Sequence, residues 1–197
     1  MDREDITESA KREFSTQVNK QEGEISSRII ENPKYLTEDQ KDSWNRNGFI
    51  LLKNFCSKEI CSEMNSSVLS IIDSMVGSEE AFSHAYANEG YIGIREMKPN
   101  PEAKTIHDEM SKIFRLHGKG VFNDFINNKR LLDLVEDILG INIDCFLSQY
   151  IFKNPGAWGQ PWHQDSSYFP FDRYPQVGAW VATSPATIEN GCLVILP

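Results

Sequence analysis

Histidine is scarce in this chain, with four in 197 residues, and none follows Asp165. Cysteine is equally sparse. Cys56, Cys61, Cys145 and Cys192 form no Cys-x-x-Cys pair, and the offset of Cys56 and Cys61 lacks the second pair that a structural zinc site uses. Free, mostly buried thiols are the expectation. No apolar run approaches the ~20 residues of a membrane span, so no membrane partner is expected. Met1-Asp2-Arg3-Glu4-Asp5 has no apolar stretch behind it, so no secretion signal is read and a reducing, cytoplasmic setting is the expectation. Basic residues are outnumbered: 20 Lys and Arg against 29 Asp and Glu give a formal charge of -9 and a pI near 5.0. Without clustered cations to neutralise phosphates, nucleic acid is excluded as a partner.

What is present describes an ordinary globular domain, 40% apolar and 25% charged. Residues 1–36 mix both charges among few apolar positions and read as a polar lead-in, helical or disordered; residues 37–197 form the domain. Thr37 with Gln40 three positions on matches a capping box, and Gly48 marks the stop of that helix. A strand Phe49–Leu52 is expected next. Ser57 caps a second helix in which Ile60, Met64, Val68, Leu69, Ile71, Ile72 and Met75 give an apolar face that reads as core packing. Residues 77–103 read as irregular. The spacing then predicts a helix over 104–117, a helical turn Val121–Ile126 and a helix Arg130–Leu139 stopped by Gly140. Beyond it the pattern predicts a long strand Ile141–Phe152, a loop Lys153–Trp162, a strand near Gly178–Thr183, a turn to Gly191 and a last strand Cys192–Leu196. Helices followed by strands imply an α+β fold whose β-structure carries the site.

The chemistry centres on Trp162-His163-Gln164-Asp165. In an extended chain residues i and i+2 share a face, so His163 and Asp165 project together. A neutral imidazole and a carboxylate there can hold adjacent positions of an octahedral metal, and a second histidine would complete the facial triad of non-haem iron oxygenases. A three-letter pattern also arises by chance, so the surrounding blocks decide its weight.

Those blocks are Gln149–Gly156, Trp162–Asp165, Tyr168–Pro170, Gly178–Ala182 and Glu189–Pro197, preceded by Gly48–Phe55 and a helix. In order and spacing they resemble the phytanoyl-CoA dioxygenase family over about residues 40–197. The resemblance implies N-terminal helices packed on a double-stranded β-helix, a cupin-like jelly roll. It also implies an Fe(II)- and 2-oxoglutarate-dependent oxygenase, with ascorbate as a supporting reductant and a small-molecule substrate and dioxygen as partners. His163 and Asp165 then match metal ligands, Gln149 and Trp180 match positions lining the 2-oxoglutarate pocket, and Lys112 matches a basic residue that contacts the co-substrate. Asp165 favours hydroxylation over halogenation, because related halogenases lack that carboxylate.

Each position has a plainer alternative. Trp180 fits core filling, Gln149 an ordinary strand and Lys112 a solvated helix. His84, His107 and His117 precede the motif and read as structural or surface residues. Tyr168, Phe169, Phe171 and Tyr174 fit either a substrate wall or packing under a Pro-bounded loop.

The family pattern continues past the block that ends at Pro197, into strands carrying the distal histidine and an arginine for the far carboxylate of 2-oxoglutarate. The expectation is therefore a fragment of an enzyme of about 260 to 300 residues, with an incomplete jelly roll that is inactive and poorly soluble alone. A non-catalytic short product acting as a binding or interaction protein is the alternative. A cupin-like metal protein of another activity is a third reading, lacking the context of Trp180 and Glu189-Asn190-Gly191.

Overall fold

A computed structural model describes residues 30–76, 91–96, 100–169 and 176–197. His84, Pro170, Phe171, Tyr174 and most of the polar lead-in lie outside the described residues.

Local signals shape the helices. Helix α1, Glu38–Asn47, starts with the expected capping box: Thr37 Oγ1 accepts from Gln40 N–H at 3.3 Å, and Gln40 Oε1 accepts from Thr37 N–H at 3.0 Å. Gly48 ends it in the left-handed region at φ 74°, where a side chain would be strained. Helix α2, Lys58–Met75, is capped by Ser57 and buries Met64, Val68, Ile72 and Met75 along one face, whereas Ile60 and Leu69, expected on the same core face, are exposed.

The sheet is three-stranded and antiparallel in the order β1 (Ile92–Arg95), β2 (Met110–Phe114), β3 (Gln149–Ile151). This corrects the expected helix over 104–117. Only α3, Ile106–Glu109, is helical, and the chain then enters β2. Met110, Ile113 and Phe114 keep the helical offsets of three and four, but pairing with strands on both sides outweighs that preference. A register irregularity between Ile94 and Arg95 accompanies the turn of Met110 toward the core, so Met110 and Ile113 are both fully buried.

Helices α4 (Gly120–Ile126) and α5 (Lys129–Leu139) follow; Asn128 caps the second, and Gly140 ends it as expected. The long strand expected over Ile141–Phe152 shrinks to Gln149–Ile151. Phe49–Leu52, Gly178–Thr183 and Cys192–Leu196 likewise form no ladder among the described residues. Extended backbone becomes a strand only with a partner beside it. Helices and strands therefore alternate, where the sequence pattern predicted helices first and strands after.

Two cores result. Val68 and Ile72 of α2 pack on Met110, Ile113 and Leu116, with Tyr150 and Phe152 beside them. Ile30, Leu36 and Ile138 form the second, flanked by Trp44, Ile50, Leu134 and Val177. The Asp137 carboxylate joins the entering chain to α5 by accepting the backbone N–H groups of Lys34, Tyr35 and Leu36 at 2.8, 2.6 and 2.6 Å.

Because Ile113 and Tyr150 are register partners on the α2 side, their neighbours Lys112, Phe114, Gln149 and Ile151 occupy the opposite face. That second face meets the loop after β3.

Candidate metal centre

His163 and Asp165 follow that loop. Gln164 is extended at φ -113° and ψ 133°, but the chain turns at Asp165 into a 3-10 turn, Asp165–Ser167, where an uninterrupted extended segment was expected. Ser167 Oγ donates to the Gln164 carbonyl at 2.6 Å and closes the turn. One extended residue suffices to bring the two side chains together: His163 Nε2 stands 3.4 Å from Asp165 Oδ1. Atoms in adjacent octahedral positions, each about 2.1 Å from a metal, lie about 3 Å apart, so the pair is spaced to share one ion. Among the described residues no third histidine, cysteine or carboxylate joins them.

The hydrogen bonds fix the imidazole. Lys112 Nζ donates to Gln160 Oε1 at 3.0 Å, and an ammonium has no acceptor, so the oxygen end of the amide must face it. The amide nitrogen then points the other way and donates to His163 Nε2 at 3.2 Å. Nε2 is therefore the lone-pair nitrogen, and Nδ1 carries the proton it gives to the Pro161 carbonyl at 2.7 Å. A backbone carbonyl on the remote ring nitrogen is the usual outer support of a metal-binding histidine. The Tyr168 ring meets the imidazole edge-on at 5.5 Å between centroids. The donor set and its support fit a divalent metal such as iron(II).

Lys112 lies on β2, not on the helix expected for it, with Ile151 of β3 opposite. Burial lowers the pKa of its ammonium, nearby Lys153 lowers it further, and Asp165 and Glu96 pull it back up. Gln149, opposite Phe114, shares this face and is exposed.

Trp180 is 51% exposed, so it fills neither core. Its segment is held from below: Asn65 Nδ2 donates to the Thr183 carbonyl at 3.1 Å, while Tyr150 Oη donates to Asn65 Oδ1 at 2.7 Å and lies 3.1 Å from Thr183 Oγ1. The same segment passes the carboxylate, since a Cβ at Gly178 would lie 3.8 Å from Asp165 Oδ2. Asp165 and the Trp180 segment are thus neighbours, although no ladder joins them.

The two other histidines among the described residues have partners elsewhere. His107 Nε2 pairs with Asp73 Oδ1 at 2.8 Å, and His117 Nδ1 meets Ser148 Oγ at 2.6 Å. The four cysteines are free and partly buried, a shallower placement than expected. Phe169 packs on Phe146 with centroids 5.2 Å apart, which favours packing for that part of the aromatic cluster.

Sequence reasoning passed over Gln160 and Lys153. Lys153 Nζ donates to the Trp158 carbonyl at 3.2 Å, and its stem lies against Gly191, where a Cβ would come within 3.4 Å. Neither residue belongs to a periodic pattern, so only their proximity to the pair could have pointed to them.

Comparison with known proteins bears on the same stretch. The family model described as phytanoyl-CoA dioxygenase (PhyH) matches residues 44–197. A phytanoyl-CoA dioxygenase of Arabidopsis thaliana is 25% identical over 185 residues, covering 82% of this chain and 64% of that protein. A phytanoyl-CoA dioxygenase domain-containing protein 1 of Rattus norvegicus is 27% identical over 192 residues, covering 82% and 65%. A 2-aminoethylphosphonate dioxygenase of the uncultured bacterium HF130_AEPn_1 is 23% identical over 160 residues, covering 81% and 56%. The chain thus spans between 56% and 65% of the length of these relatives.

Proposed function

Since the chain belongs to the phytanoyl-CoA dioxygenase family, we propose that it carries part of the active site of an Fe(II)- and 2-oxoglutarate-dependent dioxygenase that hydroxylates a small organic substrate. The observation that carries this reading is the His163–Asp165 pair, 3.4 Å apart, with Nδ1 tied to Pro161 so that Nε2 faces the carboxylate. When bound, ferrous iron with 2-oxoglutarate supplies the dioxygen chemistry that turns a substrate C–H into C–OH while the co-substrate becomes succinate and carbon dioxide.

The chain's own residues divide the remaining work. His163 through Nε2 and Asp165 through its carboxylate are the metal-holding atoms, and the Pro161 carbonyl keeps the imidazole in the right tautomer. Lys112 offers an ammonium and Gln149 an amide on one sheet face, suited to a dicarboxylate co-substrate. The indole of Trp180 has exposed surface to close over it. In this reading the three-stranded sheet is one wall of a double-stranded β-helix.

Succinate formation from 2-oxoglutarate, measured with Fe(II) and ascorbate on this chain and on any longer product of the same gene, tests the proposal. His163→Ala and Asp165→Ala should each abolish turnover. Turnover retained in either variant would sink it. Ligand or partner binding that survives both substitutions, without turnover in the wild type, would favour the non-catalytic reading.

A further inference from the structure

Gln160 holds two groups of the candidate centre at once. Its amide nitrogen donates to His163 Nε2 at 3.2 Å, and its amide oxygen accepts from Lys112 Nζ at 3.0 Å. The imidazole nitrogen has a single lone pair, which can accept a hydrogen bond or bind a metal but not both. We propose that Gln160 is a displaceable cap on His163: metal binding at Nε2 expels the amide, and its departure frees Lys112 to meet an anion. The proposal rests on the reading of His163 and Asp165 as metal ligands.

The surroundings allow such an exchange. Gln160 is exposed, so its amide can rotate into water without stranding a buried polar group. Gly159 before it has open space around the position of a Cβ, so nothing crowds the loop there. The Lys112 backbone is paired with β1 on one side and β3 on the other, which anchors the root of its side chain at this sheet face when the amide leaves. Lys112 then loses its acceptor. Partial burial already disfavours its ammonium, so an incoming carboxylate would replace a partner it needs. The Nδ1 bond to Pro161 is untouched throughout, so the imidazole keeps its orientation before and after the exchange. Gln160 would thereby link metal loading to the binding of an anionic co-substrate.

Co2+ titration followed by visible absorbance, on the wild-type chain and on Gln160→Leu and His163→Ala variants, tests the cap. Removing one net hydrogen bond that competes for Nε2 should tighten Co2+ binding in Gln160→Leu about fivefold, while His163→Ala should lose the absorbance. Succinate, as a dicarboxylate probe without metal, should bind Gln160→Leu more tightly than wild type, and Lys112→Met in the same background should remove that gain. Unchanged or weaker Co2+ binding in Gln160→Leu overturns the cap, as does succinate affinity that ignores Gln160. If neither wild type nor Gln160→Leu shows Co2+ binding that depends on His163, the metal reading itself falls and takes the cap with it. Matching thermal melts of wild type and Gln160→Leu establish that the substitution acts locally.

Discussion

His163 Nε2 and Asp165 Oδ1 face each other at 3.4 Å, a lone pair against a carboxylate oxygen. The proton that could bridge them is on Nδ1, held by Pro161. Such a pair is relieved by a cation placed between its two acceptors, and the relief appears as stability.

Co2+ at about one hundred times its dissociation constant should therefore stabilise the wild-type chain by about 2.7 kcal/mol, measured by denaturant titration with and without metal. Asp165→Asn should respond in the opposite sense in the two conditions. Its neutral amide no longer sets a carboxylate charge against Nε2, so without metal the variant should equal or exceed wild type by up to about 1 kcal/mol; with metal it should gain little. A variant that matches the wild-type metal response would show that the carboxylate is not a ligand.

Asp137→Asn should be the most costly conservative change near the entering chain. Oδ2 accepts two backbone N–H groups, from Tyr35 and Leu36, and Oδ1 accepts a third from Lys34. An asparagine has only one acceptor oxygen, so in either rotamer an NH2 group faces a backbone N–H. The loss expected is about 1–3 kcal/mol, read from the shift in denaturation midpoint. A neutral result would mean that Ile30, Leu36 and Ile138 hold the segment unaided.

The sequence disclosed most where a structural signal is local. The Thr37 and Gln40 box, the Ser57 cap and the glycines at 48 and 140 each act within a few positions, and all are found where read. The His163 and Asp165 pair is also local, because a single extended residue between them sets their common side. Strand β2 was hidden because the spacing of Met110, Ile113 and Phe114 is shared by a helix, while its partner β3 lies far along the chain. The hydrogen bonds of Gln160 were hidden for a like reason: its orientation is dictated by Lys112, 48 positions away.

Tyr150→Phe tests how the Trp180 segment is held. The phenol oxygen donates to Asn65 and lies within hydrogen-bond distance of Thr183 Oγ1, so its removal unpairs two partly buried groups. A loss of about 1–2 kcal/mol is expected, with faster hydrogen exchange over residues 177–183 and unchanged exchange in α5. If exchange rises equally everywhere, the hydroxyl supports the whole domain and not the segment.

Lys112 gives a pH signature whose sign follows from its surroundings. Burial and the charge of Lys153 make its ammonium lose the proton more readily in the folded chain than in the unfolded one, despite the opposing pull of Asp165 and Glu96. Just below the ordinary lysine range the unfolded state therefore binds more protons than the native state, and stability rises with pH wherever that holds. Lys34, Lys41 and Lys129 act in reverse, because hydrogen bonds raise their pKa and their contribution is lost on the way up. Comparing wild type with Lys112→Met at each pH cancels those shared contributions. The difference in denaturation midpoint should move in favour of wild type as pH rises from neutral toward about 10, because the methionine carries no charge to relieve. A difference that stays flat would mean that the Lys112 ammonium is fully solvated, and its claim to meet an anion at the sheet face would lose its physical basis.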